Sequence, residues 1–195
     1  MQPFTLLIKP TGSDCNVDCR YCFYKDRAPE IGQGRQRMSD EVLEKMVRDY
    51  LGCRFQMSSF AWQGGEPMLM GLDFYKKVIE LQKKHGVSGQ HVSNALQTNA
   101  ILLDEKWAEF LYQNRFLVGI SIDGPKEFHD YYRVDFSGGG TFDKVIRAIE
   151  NCRRFKVEFN TLTLLNNRNV EYPDAVFDFN GNGNTIFAVY TMHRD

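Results

Sequence analysis

The sequence predicts an α/β fold, a partial (β/α)6 TIM-like barrel in which parallel strands alternate with covering helices. Apolar, β-rich segments recur between amphipathic helical patterns along nearly the whole chain, and this repetition is typical of a parallel sheet. A complete eight-unit barrel needs about 250 residues. The chain has 195 residues, so it can supply only part of such a barrel, as one substantial core.

Five segments have the length and composition of strands. They cover residues 5–9, 58–62, 91–96, 117–122 and 157–164. A sixth strand can form over residues 185–190, after a helix-breaking Asn-Gly-Asn-Gly-Asn run at 180–184.

The segments between the strands have the periodicity of amphipathic helices. Ser39 is the predicted N-cap of a helix that ends near residue 51, and a second helix covers residues 72–84. A third helix starts at Asp104 and a fourth at Thr141. The side chains predicted to face inward are Val42, Met46, Val47, Phe74, Val78, Ile79, Leu81, Trp107, Phe110, Leu111, Val145, Ile146 and Ile149.

Composition argues against several classes of protein. The net charge is -1, from 24 basic and 25 acidic residues, whereas a nucleic-acid-binding protein normally shows a basic excess. No apolar run approaches the ~18 residues of a membrane span. The apolar part of the N-terminus is too short for a signal peptide, so we expect a reduced, cytoplasmic setting.

Three of the five cysteines, Cys15, Cys19 and Cys22, lie in one loop after the first predicted strand. This C-x3-C-x2-C spacing offers three thiolates to one centre with no fourth ligand nearby. Such a loop can hold three irons of a 4Fe-4S cluster and leave the fourth iron open for a small molecule. An odd cysteine count without a leader argues against disulfides. Cys53 and Cys152 are predicted to be packing residues.

Two other interpretations of the loop stay open. Zinc could be bound if a distant histidine completed the site, and His85, His91, His129 and His193 are the available histidines. A single C-x2-C, however, does not match the paired knuckles of zinc ribbons. Unligated thiols are the remaining alternative. The aromatic residues beside the loop, which can shield a cluster from water, favour the cluster; they are Tyr21, Phe23 and Tyr24.

Polar residues follow several predicted strands, where ligands bind in parallel sheets of this kind. The second strand ends in Gln63-Gly64-Gly65-Glu66-Pro67. Its glycines let the backbone approach a ligand, and Glu66 can accept from an amine. The alternative is a tight turn capped by proline. The third strand ends in Gln97-Thr98-Asn99, which can also be a simple polar loop.

The fourth strand and the segment after it add further candidates. Ser121 and Asp123 lie on one face by strand alternation, and Arg133 can clamp a carboxylate, although most surface arginines do not. Together the strand ends supply an amine acceptor, polar groups for a sugar, a guanidinium for a carboxylate and an open iron. These match the functional groups of S-adenosylmethionine.

With these motifs the chain resembles the radical SAM enzymes, and more closely the anaerobic sulfatase-maturating enzymes, which oxidise a sulfatase cysteine or serine to formylglycine. The resemblance covers about residues 4–178. It is carried by Leu7-Ile8-Lys9-Pro10, Cys15 to Tyr24, Phe60-Ala61-Trp62-Gln63-Gly64-Gly65-Glu66-Pro67, Leu96-Gln97-Thr98-Asn99, Ser121-Ile122-Asp123-Gly124-Pro125 and Val157-Glu158-Phe159-Asn160.

The resemblance implies roles for individual residues. Cys15, Cys19 and Cys22 would ligate a 4Fe-4S cluster, while Tyr24 and Gln63 would face the substrate peptide. A 5′-deoxyadenosyl radical would remove a hydrogen from the target side chain. The implied partners are a sulfatase polypeptide and an electron donor such as ferredoxin or flavodoxin. The implied contacts to S-adenosylmethionine are Tyr21, Gly64, Gly65, Glu66, Ser121 and Arg133.

The chain also departs from the family pattern. The family's barrel is followed by a cysteine-rich domain of the SPASM type with two more clusters, and a family aspartate takes the substrate proton. Only Cys53 and Cys152 remain outside the loop, too few thiolates for another cluster, so the cluster domain is not expected here. The family's aspartate is not expected either. The match fails after Phe179, which predicts a partial barrel over residues 1–179 and a divergent tail over 180–195. A radical SAM enzyme for another peptide, or an inactive truncated cluster-binding fragment, are the alternatives.

Overall fold

The sheet of the computed structural model, which describes residues 2–25, 35–181 and 186–191, has six parallel strands in the order β1 to β6. Each strand pairs in parallel with the next one along the chain. This order confirms the predicted partial barrel, and β6 lies where the sequence allows a sixth strand. The strands are β1 (Thr5–Ile8), β2 (Met57–Trp62), β3 (His91–Thr98), β4 (Phe116–Ser121), β5 (Glu158–Leu165) and β6 (Ile186–Thr191).

Helices connect successive strands and return the chain to the start of the next one, so all strands end at one edge of the sheet. None of the described helices is long and apolar enough to cross a membrane. A short 3-10 helix spans Pro67–Met70. The α-helices are α1 (Asp40–Gly52), α2 (Leu72–His85), α3 (Glu105–Gln113), α4 (Lys126–Tyr132), α5 (Phe142–Phe155) and α6 (Pro173–Gly181).

Side-chain caps start two helices at the predicted residues. The Ser39 hydroxyl accepts from the Val42 amide at 3.3 Å, and the Asp104 carboxylate accepts from the Trp107 amide at 2.9 Å. Helix α5 also begins next to the predicted Thr141, but the Thr141 hydroxyl donates to the Arg133 carbonyl at 2.8 Å instead of capping. The carboxylate of Asp130 accepts from the first α5 amide, at 2.8 Å.

The core lies between the helices and the side chains of the sheet that face them. The centre of this core is Trp62, which is fully buried and surrounded by aromatic rings. Its indole N–H donates to Asn94 Oδ1 at 3.0 Å, and Asn94 exchanges two further hydrogen bonds with Gln82, at 2.9 and 3.0 Å. The buried polar groups therefore satisfy one another inside an apolar layer.

Two sequence expectations about packing are wrong. Val42 is 54% exposed, because the core face of α1 is formed by Leu43, Val47, Tyr50 and Leu51. Cys53 is exposed at the end of that helix, whereas Cys152 is buried in the core as predicted. Helix α4 was missed because its seven residues are too few to show a helical period.

Replacing Asn94 tests the buried polar cluster. Asn94→Ala would leave the Trp62 indole N–H and the Gln82 amide without partners, at a cost of about 2–3 kcal/mol in the free energy of unfolding. Urea denaturation under reducing conditions measures this loss. The control is Ser93→Ala on the exposed side of the same strand, where we expect a change within about 0.5 kcal/mol. Equal effects of the two substitutions would contradict this account of the core.

Candidate active site

A cavity of about 240 Å³ opens at the edge where the strands end. All candidate site residues except the buried Glu66 and Asp123 line this cavity, so the structure brings together residues from the cysteine loop, three strand ends and the segment after α4. The lining residues are Lys9, Cys15, Val17, Cys19, Tyr21, Cys22, Phe23, Tyr24, Gln63, Gly64, Gly65, Gln97, Thr98, Asn99, Ser121, Arg133 and Leu164.

The cysteine loop follows β1 and is held in place mainly by its backbone. The Asp18 amide donates to the Val134 carbonyl at 2.7 Å, and the Arg20 amide donates to the Tyr132 carbonyl at 2.9 Å. These two bonds lie on either side of Arg133 in the sequence. The same contacts that fix the loop therefore place the Arg133 side chain beside the cysteines.

Of the three cysteines in the loop, Cys15 and Cys22 are half-buried and Cys19 is buried, and none of them forms a disulfide. Burial raises the pKa of the Cys15 thiol to about 12, and burial also raises the pKa of Cys19, against the opposing charge of Arg133. A thiolate at these positions therefore requires a compensating positive centre, as iron supplies. The donor set fits a cluster bound through three thiolates.

The zinc alternative finds less support within the described part of the chain. There, no three His, Cys, Asp or Glu side chains are grouped closely enough to share a single metal ion. The thiolates of a cubane each bind a different iron, so they need not converge on one point. None of the histidines that the structure describes lines the cavity. His193 lies outside the described residues.

The two glycines after β2 are required by a close approach to the cysteine loop. The Gly65 amide donates to the Gly12 carbonyl at 2.9 Å, and a Cβ on Gly65 would lie 2.1 Å from the Asp14 carbonyl oxygen. Gly64 has a φ of 126°, which disfavours any other residue. The glycine pair therefore lets two backbone segments meet at the cavity wall.

Glu66 differs from its predicted role. Its side chain is fully buried behind the cavity wall. Oε1 accepts from the Met68 amide at 2.9 Å and the Thr98 hydroxyl at 2.8 Å, while Oε2 accepts from the Asn99 amide at 2.8 Å. Burial nevertheless raises the pKa of this carboxyl to about 7. Glu66 links the ends of β2 and β3, and its carboxylate does not reach the cavity as an amine acceptor.

Arg133 is oriented by the buried carboxylate of Asp123. Nε and Nη2 of Arg133 donate to Asp123 at 2.9 and 3.2 Å, and the Tyr21 hydroxyl donates to the same carboxylate. The guanidinium carbon lies 5.5 Å from the centre of the Tyr21 ring. Burial lowers the pKa of Arg133, but the acidic groups around it, Asp123 first among them, together outweigh burial and raise the pKa above its usual value. Arg133 therefore stays cationic, and within the described residues no acceptor binds its Nη1, which can take an anionic ligand.

His129 supports this ion pair from behind. Its Nδ1 accepts from the Asp123 amide at 3.3 Å, and its Nε2 lies 3.0 Å from the Thr141 hydroxyl oxygen. Because that hydroxyl donates to the Arg133 carbonyl, Nε2 carries the proton and donates to it. Burial, with the charge of Arg133, lowers the pKa of His129 to about 3. The neutral ring thus fits between the two elements that carry Asp123 and Arg133.

The sequence prediction assigned no site role to four polar residues that line the cavity, which are Lys9, Gln97, Thr98 and Asn99. Lys9 follows β1, and its ammonium lies 5.1 Å from the centre of the Tyr24 ring. Asn99 was predicted only as part of a polar cluster after the third strand, yet its side-chain amide nitrogen lies 3.6 Å from Cys15 Sγ. Lys9 directly follows β1, so the strand-end rule applied to the first strand as well would have found it.

Comparison with known proteins identifies relatives of this chain. The model of the radical SAM superfamily matches residues 10–179. A cysteine-type anaerobic sulfatase-maturating enzyme of Clostridium perfringens is 46% identical over 180 residues, covering 92% of this chain and 49% of that enzyme. A serine-type enzyme of Bacteroides thetaiotaomicron is 41% identical, covering 91% of this chain and 43% of its own length.

Comparison with solved structures gives the same result as comparison with these sequence relatives. The structure of native anSMEcpe with bound AdoMet and Cp18Cys peptide superposes with a TM-score of 0.90 at 43% identity, covering 98% of this chain and 51% of that one. Methylornithine synthase, at 15% identity and a TM-score of 0.70, shares the fold. The chain spans about half the length of the curated relatives and structures that match it at high identity.

Replacing His129 tests its buried neutral state. The His129 imidazole binds its second proton more weakly in the folded protein than in the unfolded chain. The contribution of His129 to stability is therefore complete above pH 6.5 and falls as the pH decreases toward 3. His129→Asn keeps an acceptor for the Asp123 amide but does not titrate. The difference in unfolding free energy between the native protein and this variant should fall by about 1.4 kcal/mol per pH unit below pH 6. A pH-independent difference in urea denaturation would argue against this account.

Gly65→Ala tests the close approach behind the cavity. The added Cβ would displace the Asp14 carbonyl and with it the cysteine loop, so anaerobic reconstitution should incorporate markedly less iron per chain. Gly52→Ala is the control, because a Cβ on that helical residue meets nothing within 4 Å. Normal iron content in the Gly65 variant would show that the loop tolerates the displacement.

Proposed function

Because this chain belongs to the radical SAM superfamily, we propose that it carries out the radical chemistry of an anaerobic sulfatase-maturating enzyme. The reaction is the oxidation of a sulfatase cysteine or serine to formylglycine. The observation that carries this proposal is the cavity itself. Three cysteine thiols meet the glycine pair, Ser121 and Arg133 in one place, within a chain 46% identical to a cysteine-type maturating enzyme.

Cys15, Cys19 and Cys22 are the residues that would hold a 4Fe-4S cluster. When bound and reduced, this cluster supplies the electron that cleaves a carbon–sulfur bond of S-adenosylmethionine. The cytoplasmic location predicted from the sequence suits such an oxygen-sensitive group. An electron donor such as ferredoxin or flavodoxin would reduce it.

The remaining side chains of the cavity suit S-adenosylmethionine and a peptide. Nη1 of Arg133 is free to bind the carboxylate, since Asp123 already holds the other edge of the guanidinium. The Ser121 hydroxyl and the backbone of the glycine pair offer further polar contacts at the same wall. Tyr21 lies under the Arg133 guanidinium and closes the site toward β4.

Tyr24 and Gln63 are the residues that we assign to the substrate side. The Tyr24 ring is buried beneath Phe23, at 4.1 Å between ring centres, and lies beside the Lys9 ammonium. Gln63 follows β2 directly and lines the same cavity. These side chains would orient the target residue of a sulfatase polypeptide and exclude water from it.

The test is anaerobic reconstitution followed by assay with two peptides. The protein should bind about four irons per chain. With dithionite and S-adenosylmethionine it should form 5′-deoxyadenosine, and mass spectrometry should show formylglycine in a sulfatase-derived peptide carrying cysteine or serine. A cluster-loaded protein that forms no 5′-deoxyadenosine would contradict the proposal. Radical formation without modification of either peptide would indicate a different substrate.

The cysteine assignment has a control within the chain. Alanine at Cys15, Cys19 or Cys22 should abolish iron binding, because two thiolates cannot hold the cluster stably. Cys53→Ala should bind as much iron as the native protein, since Cys53 is exposed and does not line the cavity. Retention of iron in any of the three loop variants would refute the ligand assignment.

A further inference from the structure

The Asn99 side chain is fixed in one orientation beside the cysteine loop. Its Oδ1 accepts from the Ile101 amide at 3.1 Å, so the Nδ2 end must face away from its own turn. Nδ2 lies 2.8 Å from Asn16 Oδ1 and 3.6 Å from Cys15 Sγ. The two hydrogens of this amide therefore have two acceptors, and one of them is the sulfur of a proposed cluster ligand.

The backbone around Asn99 is held equally firmly. The backbone amide of Asn99 donates to Glu66 Oε2 at 2.8 Å, and the backbone amide of Ala100 donates to the Thr98 hydroxyl oxygen at 2.9 Å. Ala100 has a φ of 62° although it is not glycine, and it is buried. Such left-handed backbone persists where the surrounding contacts determine it. The turn after β3 thus presents the side-chain amide of Asn99 to Cys15, at a cost in backbone strain.

We propose that Asn99 is a positioning residue that sets the reduction potential of the cluster through its N–H···S contact with Cys15. This inference rests on the cluster assignment of the proposed function. Reduction adds one electron, and the extra negative charge is shared with the thiolate sulfurs. A hydrogen bond to one of these sulfurs stabilises the reduced state more than the oxidised state and raises the potential.

A merely structural role for Asn99 makes a different prediction. If Asn99 only holds the loop through Asn16, its loss would change how much cluster binds but not the potential of the cluster that does bind. Asn16→Ala separates these roles, because it removes the Asn16 acceptor and keeps the contact between Asn99 and Cys15. The potential should stay at the native value in the Asn16 variant.

The experiment is a redox titration of the reconstituted protein monitored by electron paramagnetic resonance. Asn99→Ser, whose short side chain cannot reach the sulfur, should shift the midpoint potential to more negative values. Asn99→Asp should shift it further in the same direction, because it removes the donor and adds a negative charge. Gln97→Glu is the matched control, since it adds the same charge to the same cavity from a neighbouring position and should shift the potential less.

Each outcome has a clear meaning. Equal potentials of the native and Asn99→Ser proteins, or equal shifts in Asn99→Asp and Gln97→Glu, would overturn the inference while leaving the proposed function intact. Loss of the cluster from both Asn99 variants would also overturn it, in favour of a structural role. A native protein that binds no cluster at all would contradict the proposed function itself, and the inference with it.

Discussion

The structure of this site depends on backbone hydrogen bonds that hold an irregular loop between two regular parts of the fold. On one side the amides of Asp18 and Arg20 donate to the carbonyls of Val134 and Tyr132, at the C-terminal end of α4. On the other side the amides of Gly65 and Glu66 donate to the carbonyls of Gly12 and Asp14. A loop of three cysteines has no helix or strand to stabilise it. Its neighbours therefore satisfy its backbone polar groups, and the glycine pair allows them to come close enough.

A buried ion pair joins four parts of the same site. The Asp123 carboxylate accepts from Arg133, from the Tyr21 hydroxyl and from the Leu164 amide. These bonds connect the turn after β4 with the end of α4, the cysteine loop and β5. Burying such a pair costs much of the free energy that its attraction supplies, so it is weak evidence for stability. Its geometric effect is clear, because it orients one edge of the guanidinium and leaves the other free for a ligand.

Buried polar residues behind the cavity wall are hydrogen-bonded to residues that line it. Glu66 accepts from the Thr98 hydroxyl and from the backbone amide of Asn99, and these bonds connect the ends of β2 and β3. His129 connects the parts of the chain that carry Asp123 and Arg133. The cavity residues are thus held by a second layer of hydrogen bonds, which is the arrangement that a reactive centre requires for a fixed geometry.

The sequence by itself determined the alternation of strands and helices, the helix starts at Ser39 and Asp104, and the cysteine and glycine motifs, because these depend on local periodicity, capping and spacing. Only the tertiary structure decided which polar side chains reach the cavity. Glu66 turns inward and Cys53 outward because burial depends on neighbours that are distant in the sequence. The contact between Asn99 and Cys15 joins residues 84 positions apart, and no local pattern encodes such a distance.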